Sequence, residues 1–378
     1  MKLVKKLAAA CLALSMSSAL YGASMEDRVS KLEKKMNCVY MDSAMDTCGS
    51  ETALASPHAE GCCGWYATID ALLWRARLGG SEYAWRSNQP SFFNSDFDYP
   101  LKGQTKDVSL NWDWGVRGGL GYVFEYDGWN IYGEFTYFST SDSSTARGNL
   151  NGSVIPLRGT SIITQGAGSA FDEFTYATSA KAKLDIDFRR VDVDLGRSFF
   201  VSPRVSFRPL FGVVGTWVDM KEEVQYTGGD QEGGLDINTV SVRDSDDFRG
   251  MGPKVGIESN WFIGCGFSLF ANASGALVYG LHDVGHREKF SAIGQNHINL
   301  ENNQHRYTPN AHLQTGISWQ RYFDDNEKHA IVTFGFDGQY WWRMNQMIDI
   351  DDTATLKYEP HSEDLGLIGL TLSVRIDF

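Results

Sequence analysis

LGLIGLTLSVRIDF, residues 365–378, alternates apolar with small or charged side chains up to the last residue of the chain. Ile368, Leu370, Leu372, Val374, Ile376 and Phe378 fall on one side; Gly369, Thr371, Ser373, Arg375 and Asp377 fall on the other. Successive side chains of a strand point to opposite faces, so this is a strand with one greasy and one wet face. Its unpaired backbone groups need a neighbour. Where the greasy face meets lipid, only a closed barrel leaves no edge. The stretch is therefore expected to be the closing strand of a barrel in an outer membrane, with the terminal aromatic Phe378 as its assembly signal. The competing expectation is an edge strand of a soluble sandwich.

Composition separates some classes. The chain has 378 residues and a net charge of −13. After its N-terminus, no segment is apolar for the roughly 20 residues that a spanning helix needs. A mildly polar average fits a barrel, because half of each strand faces water. The acidic balance, without a basic stripe, argues against a nucleic-acid partner, and no cofactor motif is present.

Lys2, Lys5 and Lys6 precede an apolar run, Leu7–Leu20, and small residues at Gly22 and Ala23. This is the pattern of a secretory signal peptide over residues 1–23. Met25, Val29, Leu32 and Met36 follow at heptad spacing, which predicts a short helix that joins protomers or stays solvated. Cys38, Cys48, Cys62 and Cys63 lie in the rest of this 24–63 linker, in a compartment that permits disulfides. With Cys265 the exported chain has an odd number of thiols, which leaves intermolecular bridges open.

From residue 64 to 378 apolar-alternating stretches come in pairs, joined by connections that are in turn short and long. Ile69, Ala71 and Leu73 share a face opposite Thr68 and Asp70. In the next stretch Leu110, Trp112, Trp114, Val116, Leu120, Tyr122 and Phe124 share a face, as an aromatic-flanked lipid stripe would. Tyr126-Asp127-Gly128 then predicts a tight turn. The apolar phase slips between Leu184/Ile186/Phe188 and Val191/Val193/Leu195, which predicts a β-bulge near Arg189-Arg190. Pro209 sits awkwardly inside a strand over Val205–Val218. Thr140–Ala182, Lys221–Arg249 and Leu281–Asn310 read as long polar loops. The whole is an all-β, antiparallel, up-and-down transmembrane barrel of about ten strands, or twelve if a loop hides a hairpin, with short periplasmic turns and long extracellular loops.

At Gly64-Trp65-Tyr66 with Asp70 and Leu72-Leu73-Trp74, at Val193-Asp194-Leu195-Gly196-Arg197, at Arg208-Pro209-Leu210-Phe211-Gly212 and at the terminal strand, the sequence resembles the pore-forming outer-membrane proteins typified by the Legionella major outer-membrane protein. The resemblance implies a porin, accounts for Pro209, and often comes with a short coiled-coil segment before the barrel. The cysteine-rich linker is more like chlamydial envelopes, where disulfide cross-linking between outer-membrane proteins is implied.

Alternation places Asp113, Arg117, Glu134, Arg208, Lys254, Glu258, Asp337, Arg343, Arg375 and Asp377 in the lumen. Mixed charge of this kind suits passive diffusion of small hydrophilic solutes. At ten strands the alternative is that the same charges pair across a narrow lumen and plug it. A non-conducting envelope anchor or adhesin is thus the first alternative. A protease using Asp246, Asp247, His282 and Asp283 at the rim is the second, although no hydrolase or phosphate-binding motif is present. His282 and His286 fall in a polar stretch and read as solvated loop rather than metal ligands. Asp349, Asp351 and Asp352 lack the pattern of a calcium loop. The expected partners are outer-membrane lipid, the barrel-assembly machinery, and further copies or disulfide-linked envelope proteins.

Overall fold

A computed structural model of the chain describes residues 64–87, 103–124, 129–148, 154–159, 162–163, 172–173, 177–202, 204–229, 239–291, 296–323, 328–351, 357–360 and 362–378. The signal peptide, the heptad segment and Cys38, Cys48, Cys62 and Cys63 lie outside these residues. Ten long strands form the wall: β1 (Gly64–Leu78), β2 (Trp112–Val123), β3 (Trp129–Arg147), β4 (Ala177–Arg197), β5 (Val205–Gly229), β6 (Thr239–Gly264), β7 (Phe267–Phe290), β8 (Asn296–Phe323), β9 (Lys328–Asn345) and β10 (Glu363–Asp377). Each pairs antiparallel with its neighbours in chain order. β10 pairs back onto β1 from Tyr66 opposite Asp377 to Leu78 opposite Leu365, which closes the ring. Phe378 completes the seam, its N–H donating to the carbonyl of Trp65 at 3.0 Å. Among the described residues no helix is long and apolar enough to cross a membrane.

The alternating faces settle which solvent is where. Trp112, Trp114, Phe334 and Leu372 are 51%, 63%, 55% and 48% exposed, on the outside of the ring. A sandwich core would have hidden them, and only lipid accommodates such a band on an outer wall. Inside the same band, Asp70, Arg117, Asp192 and Lys254 are buried.

Beyond this band the pattern inverts. On β4 the outward residues are Val191, Val193 and Leu195, then Arg189, Asp187, Asp185, Lys183 and Lys181. The inward residues are Asp194, Asp192 and Arg190, then Phe188, Ile186, Leu184, Ala182 and Ala180. Both neighbours stay in register throughout: Phe135, Tyr137 and Ser139 face Val191, Arg189 and Asp187 from β3, and Gly215, Trp217 and Asp219 face them from β5. The bulge expected near Arg189-Arg190 is therefore absent. What changes there is the surroundings: lipid outside and water inside give way to water outside and a protein core inside. The barrel has a membrane storey and, above it, a storey built like a soluble barrel.

This inversion also corrects the expected loops. β3 continues to Arg147, β5 to Gly229 and β7 to Phe290, while β4, β6 and β8 begin at Ala177, Thr239 and Asn296. Their outer faces are polar because they stand clear of lipid. Leu110, expected on the lipid stripe, precedes β2 and is buried in the inner core. Pro209 sits where β5 lacks a ladder partner on the β4 side, between Leu210 opposite Gly196 and Phe207 opposite Phe199, so its missing N–H leaves no acceptor stranded there.

Candidate functional site: the barrel lumen

At the turn end the lumen holds a cavity of about 290 Å³, lined by Thr68, Tyr132, Glu258, Asn272, Gln314 and Arg375 among others. Gly119 and Gly121 make room for its aromatic wall. A Cβ on either glycine would meet the side chain of Tyr132 or Tyr66 within 2.2 Å, and the two rings stack with centroids 5.7 Å apart. Polar groups here are paired along the wall: Arg208 with Glu258 at 2.9 Å, Arg375 with Asp377 at 2.6 Å and the His329 ring with Asp377 at 2.7 Å. Arg375 also lies 3.8 Å from the Tyr66 ring centroid.

Above the cavity a belt of ions crosses the lumen. Arg117 on β2 reaches Asp337 on β9 at 3.0 Å, Asp70 on β1 at 3.5 Å and Glu134 on β3 at 4.0 Å. Asp337 also accepts bonds from Gln314 at 2.7 Å, from Thr371 at 3.3 Å and, where His312 Nε2 carries a proton, from His312 at 2.9 Å. Arg190 clasps both oxygens of Asp192 at 2.7 Å and donates to Gln339 and Asn310 at 3.0 and 3.2 Å. Lys254 bridges Asp192 and Asp194 at 2.9 and 2.7 Å. Three cations thus face five carboxylates, and the multiple bonds are what make burying such groups tolerable.

Immediately above, the lumen turns apolar. The Arg117 guanidinium carbon lies 5.5 Å from the Trp74 ring centroid and that of Arg190 lies 5.7 Å from Trp341. Trp74 packs on Phe138 and Trp341 on Phe188, with centroids 5.6 and 5.9 Å apart. Leu72, Leu184, Ile186, Val214, Val218 and Phe248 extend this layer. Glu82–Ser87, which pairs with Gly103–Asp107 and with Val154–Pro156, and the turn Met344–Ile348 supply residues to the upper storey from within.

Of the lumen residues expected from alternation, Asp113, Arg117, Glu134, Arg208, Lys254, Glu258, Asp337, Arg375 and Asp377 lie on the inner face. Asp113 accepts a bond from Thr140 at 2.5 Å. Arg343 does not follow. It has φ +56°, is exposed, and its N–H donates to Asp364 at 2.8 Å. The register of β9 breaks between Trp341 and Asn345, so alternation stops being a guide one residue too early. Asp70, Arg190, Asp192, Asp194 and His312, which are not among the expected lumen charges, also belong to the belt. Alternation with Val191, Val193 and Leu195 places three of them, Arg190, Asp192 and Asp194, on the inner face.

The proposed protease constellation is divided by the wall. Asp246 and His282 point inward and are bonded at 2.9 Å; Asp247 and Asp283 oppose each other on the outer face. His282 and His286 are not in a loop but on β7, buried in the upper lumen. Among the described residues no group of three or more His, Cys, Asp or Glu side chains is arranged to hold a metal ion. Cys265 is exposed at the Gly264–Gly266 turn.

Residues 59–378 match the family model described as Legionella pneumophila major outer membrane protein precursor. No curated protein matches the chain. Solved structures similar to it include the outer membrane protease OmpT from Escherichia coli (TM-score 0.38, 11% identity, covering 83% of this chain and 97% of that one). They also include the CymD monoaromatic hydrocarbon channel (0.32, 9%, 83% and 88%) and Ail, the attachment invasion locus protein of Yersinia pestis (0.21, 12%, 82% and 98%). At these TM-scores and identities the likenesses bear on no activity.

Proposed function

The chain belongs to the Legionella pneumophila major outer membrane protein family, and on that premise we propose that it is an outer-membrane porin that passes small hydrophilic solutes by passive diffusion. The observation that carries this is what blocks the lumen. The wall encloses a chamber of about 290 Å³ at the turn end, and the obstruction above it is made of wall side chains and folded-in segments, with no long wall strand crossing the lumen. The pairing of β10 with β1 that closes the ring involves none of the folded-in segments, so moving them would leave it intact. The belt carries three cations against five carboxylates, a net of 3 − 5 = −2, which favours cations. Export by residues 1–23, insertion guided by Phe378, and oligomer or disulfide contacts through residues 24–63 complete the proposal. No catalytic step is assigned to the chain.

The test is conductance of the purified chain in planar bilayers, wild type beside Trp341→Ala, which removes part of the apolar layer. Steps in the wild type, larger or more frequent in the variant, support the porin. That each belt carboxylate contacts a belt cation favours a second reading, a non-conducting envelope anchor. Silence from both proteins at several salt concentrations would leave only the anchor.

A further inference from the structure

Two aromatic rings lie over glycines on opposite walls of the lower chamber. Phe270 on β7 covers Gly316 on β8 and Gly335 on β9: a Cβ on these glycines would come within 2.9 and 2.8 Å of the ring. Tyr132 on β3 covers Gly119 on β2, and its hydroxyl is fixed by a 2.6 Å bond to that of Thr68. In a ring of ten strands β2–β3 and β7–β9 stand about half a turn apart, and both aromatic rings line the one cavity. Glycine inside a strand weakens it and offers the neighbouring strands no side chain to pack. With larger residues at 119, 316 and 335 the two rings would be driven inward, and side chains would fill the lumen as they do in small barrels. Here the rings are held back against the wall and a space remains between them.

The free hydrogen-bonding capacity of this chamber is neutral. The side-chain amides of Asn260 on β6 and Gln320 on β8 line it with no hydrogen-bond partner among the described residues. Asn272 reaches Gln314 only at 3.5 Å. Each amide offers two donors and an acceptor. The charged groups that line the chamber are already engaged: Arg117 with Asp70 and Glu134, Glu258 with Arg208, and Arg375 with Asp377. A charged solute would have to compete with these contacts as well as leave water. An uncharged one with several hydroxyls meets free amides and two apolar faces. Apolar faces with a few convergent polar groups are what small-molecule sites have in common. The volume, about 290 Å³, lies at the lower edge of the roughly 300–1,000 Å³ usual for such sites, which limits the occupant to about one sugar ring.

We propose that the chamber is a binding site for a neutral, polyhydroxylated ring of monosaccharide size, reached from the turn end and held between Phe270 and Tyr132 with its hydroxyls on Asn260 and Gln320. The C–H face of such a ring packs on an aromatic face, whose negative quadrupole attracts it. The passage of this solute rests on the porin proposal; its binding in the chamber does not require conduction.

The test is saturation-transfer NMR of glucose with the full chain folded in amine-oxide micelles, which carry no sugar headgroup. Saturable transfer to the glucose C–H protons is expected. Glucuronate and protonated glucosamine, charged rings of similar size, should displace glucose only at severalfold higher concentration. Asn260→Ala and Gln320→Ala remove no bond of the wall and should each weaken glucose binding by about two- to tenfold. Phe270→Leu, which keeps apolar bulk and loses the ring, should weaken it as well; should that variant fail to fold, the two alanine variants decide. Absence of saturable binding to the folded wild type would overturn the site, as would unchanged affinity in the folded variants or equal displacement by the charged sugars. Swelling of vesicles in glucose is read separately. Swelling without saturable binding keeps the porin and removes the site; binding without swelling keeps the site and removes the porin.

Discussion

Arg117 on β2 and Asp337 on β9, 220 residues apart in sequence, meet at 3.0 Å across the lumen, at the plane where the chamber ends and the protein core begins. Both are almost fully buried. Neutralising Asp337 takes away the shortest ion pair of a buried guanidinium and leaves it only the longer contacts to Asp70 at 3.5 Å and Glu134 at 4.0 Å. Asp337→Asn, which weakens its charge-assisted bonds without leaving Arg117 alone, is expected to destabilise the barrel by about 1–3 kcal/mol. The check is the denaturant midpoint for reversible folding into vesicles. Lys183→Ala, which breaks an exposed pair with Asp185, should leave that midpoint where it was.

The two storeys make a second prediction, since they put opposite demands on one strand. Val193 faces lipid on β4, and Lys183, ten residues earlier on the same face, meets water. Val193→Arg should cost about 2–4 kcal/mol, whereas Asp187→Arg, on that face but above the lipid, should cost little. Folding titrations of the two variants check it. Similar penalties at both sites would mean that the apolar band does not end near Val191.

The ring itself was legible from alternation in Leu365–Phe378, in the stretch after Trp112 and in Val332–Trp342, because lipid outside enforces one phase for each strand. The upper storey was not. There the outward residues Lys181, Lys183, Asp185 and Asp187 are those of any solvated strand, and a rule that equates an apolar outer face with a barrel strand turns them into loop. The inversion at Arg189 then looks like a bulge, which obscures the side of Arg190; Asp192 and Asp194 alternate with Val191, Val193 and Leu195 and face inward on either reading. His282 and His286 read as solvated for the same reason: their polar stretch implies a loop, whereas on β7 they are buried. Arg343 failed in the other direction, because a single left-handed residue ends the alternation.

The apolar layer supports a third prediction. Trp341 is fully buried and packs against Phe188 while capping Arg190. Trp341→Ala leaves a void beside a charged group and should cost about 3–5 kcal/mol. The vacated space adjoins the belt, so water gains a route upward. Single-channel recordings should then show a higher open fraction than the wild type; an unchanged open fraction in a folded variant would place the constriction elsewhere.

Selectivity is the fourth. Of the five belt carboxylates, Glu134 is the least committed: it lies 4.0 Å from Arg117, and its side chain is 15% exposed, towards the chamber. Glu134→Gln therefore removes a charge without stranding a partner, since Arg117 keeps Asp337 and Asp70. The belt's net charge moves from −2 to 3 − 4 = −1. Under a salt gradient the wild-type reversal potential should have the sign of cation preference, and that of the variant should lie nearer zero. The difference should shrink as ionic strength rises, because at 1 M salt the screening length falls to about 3 Å. An anion-selective wild type would show that the belt does not line the conducting path.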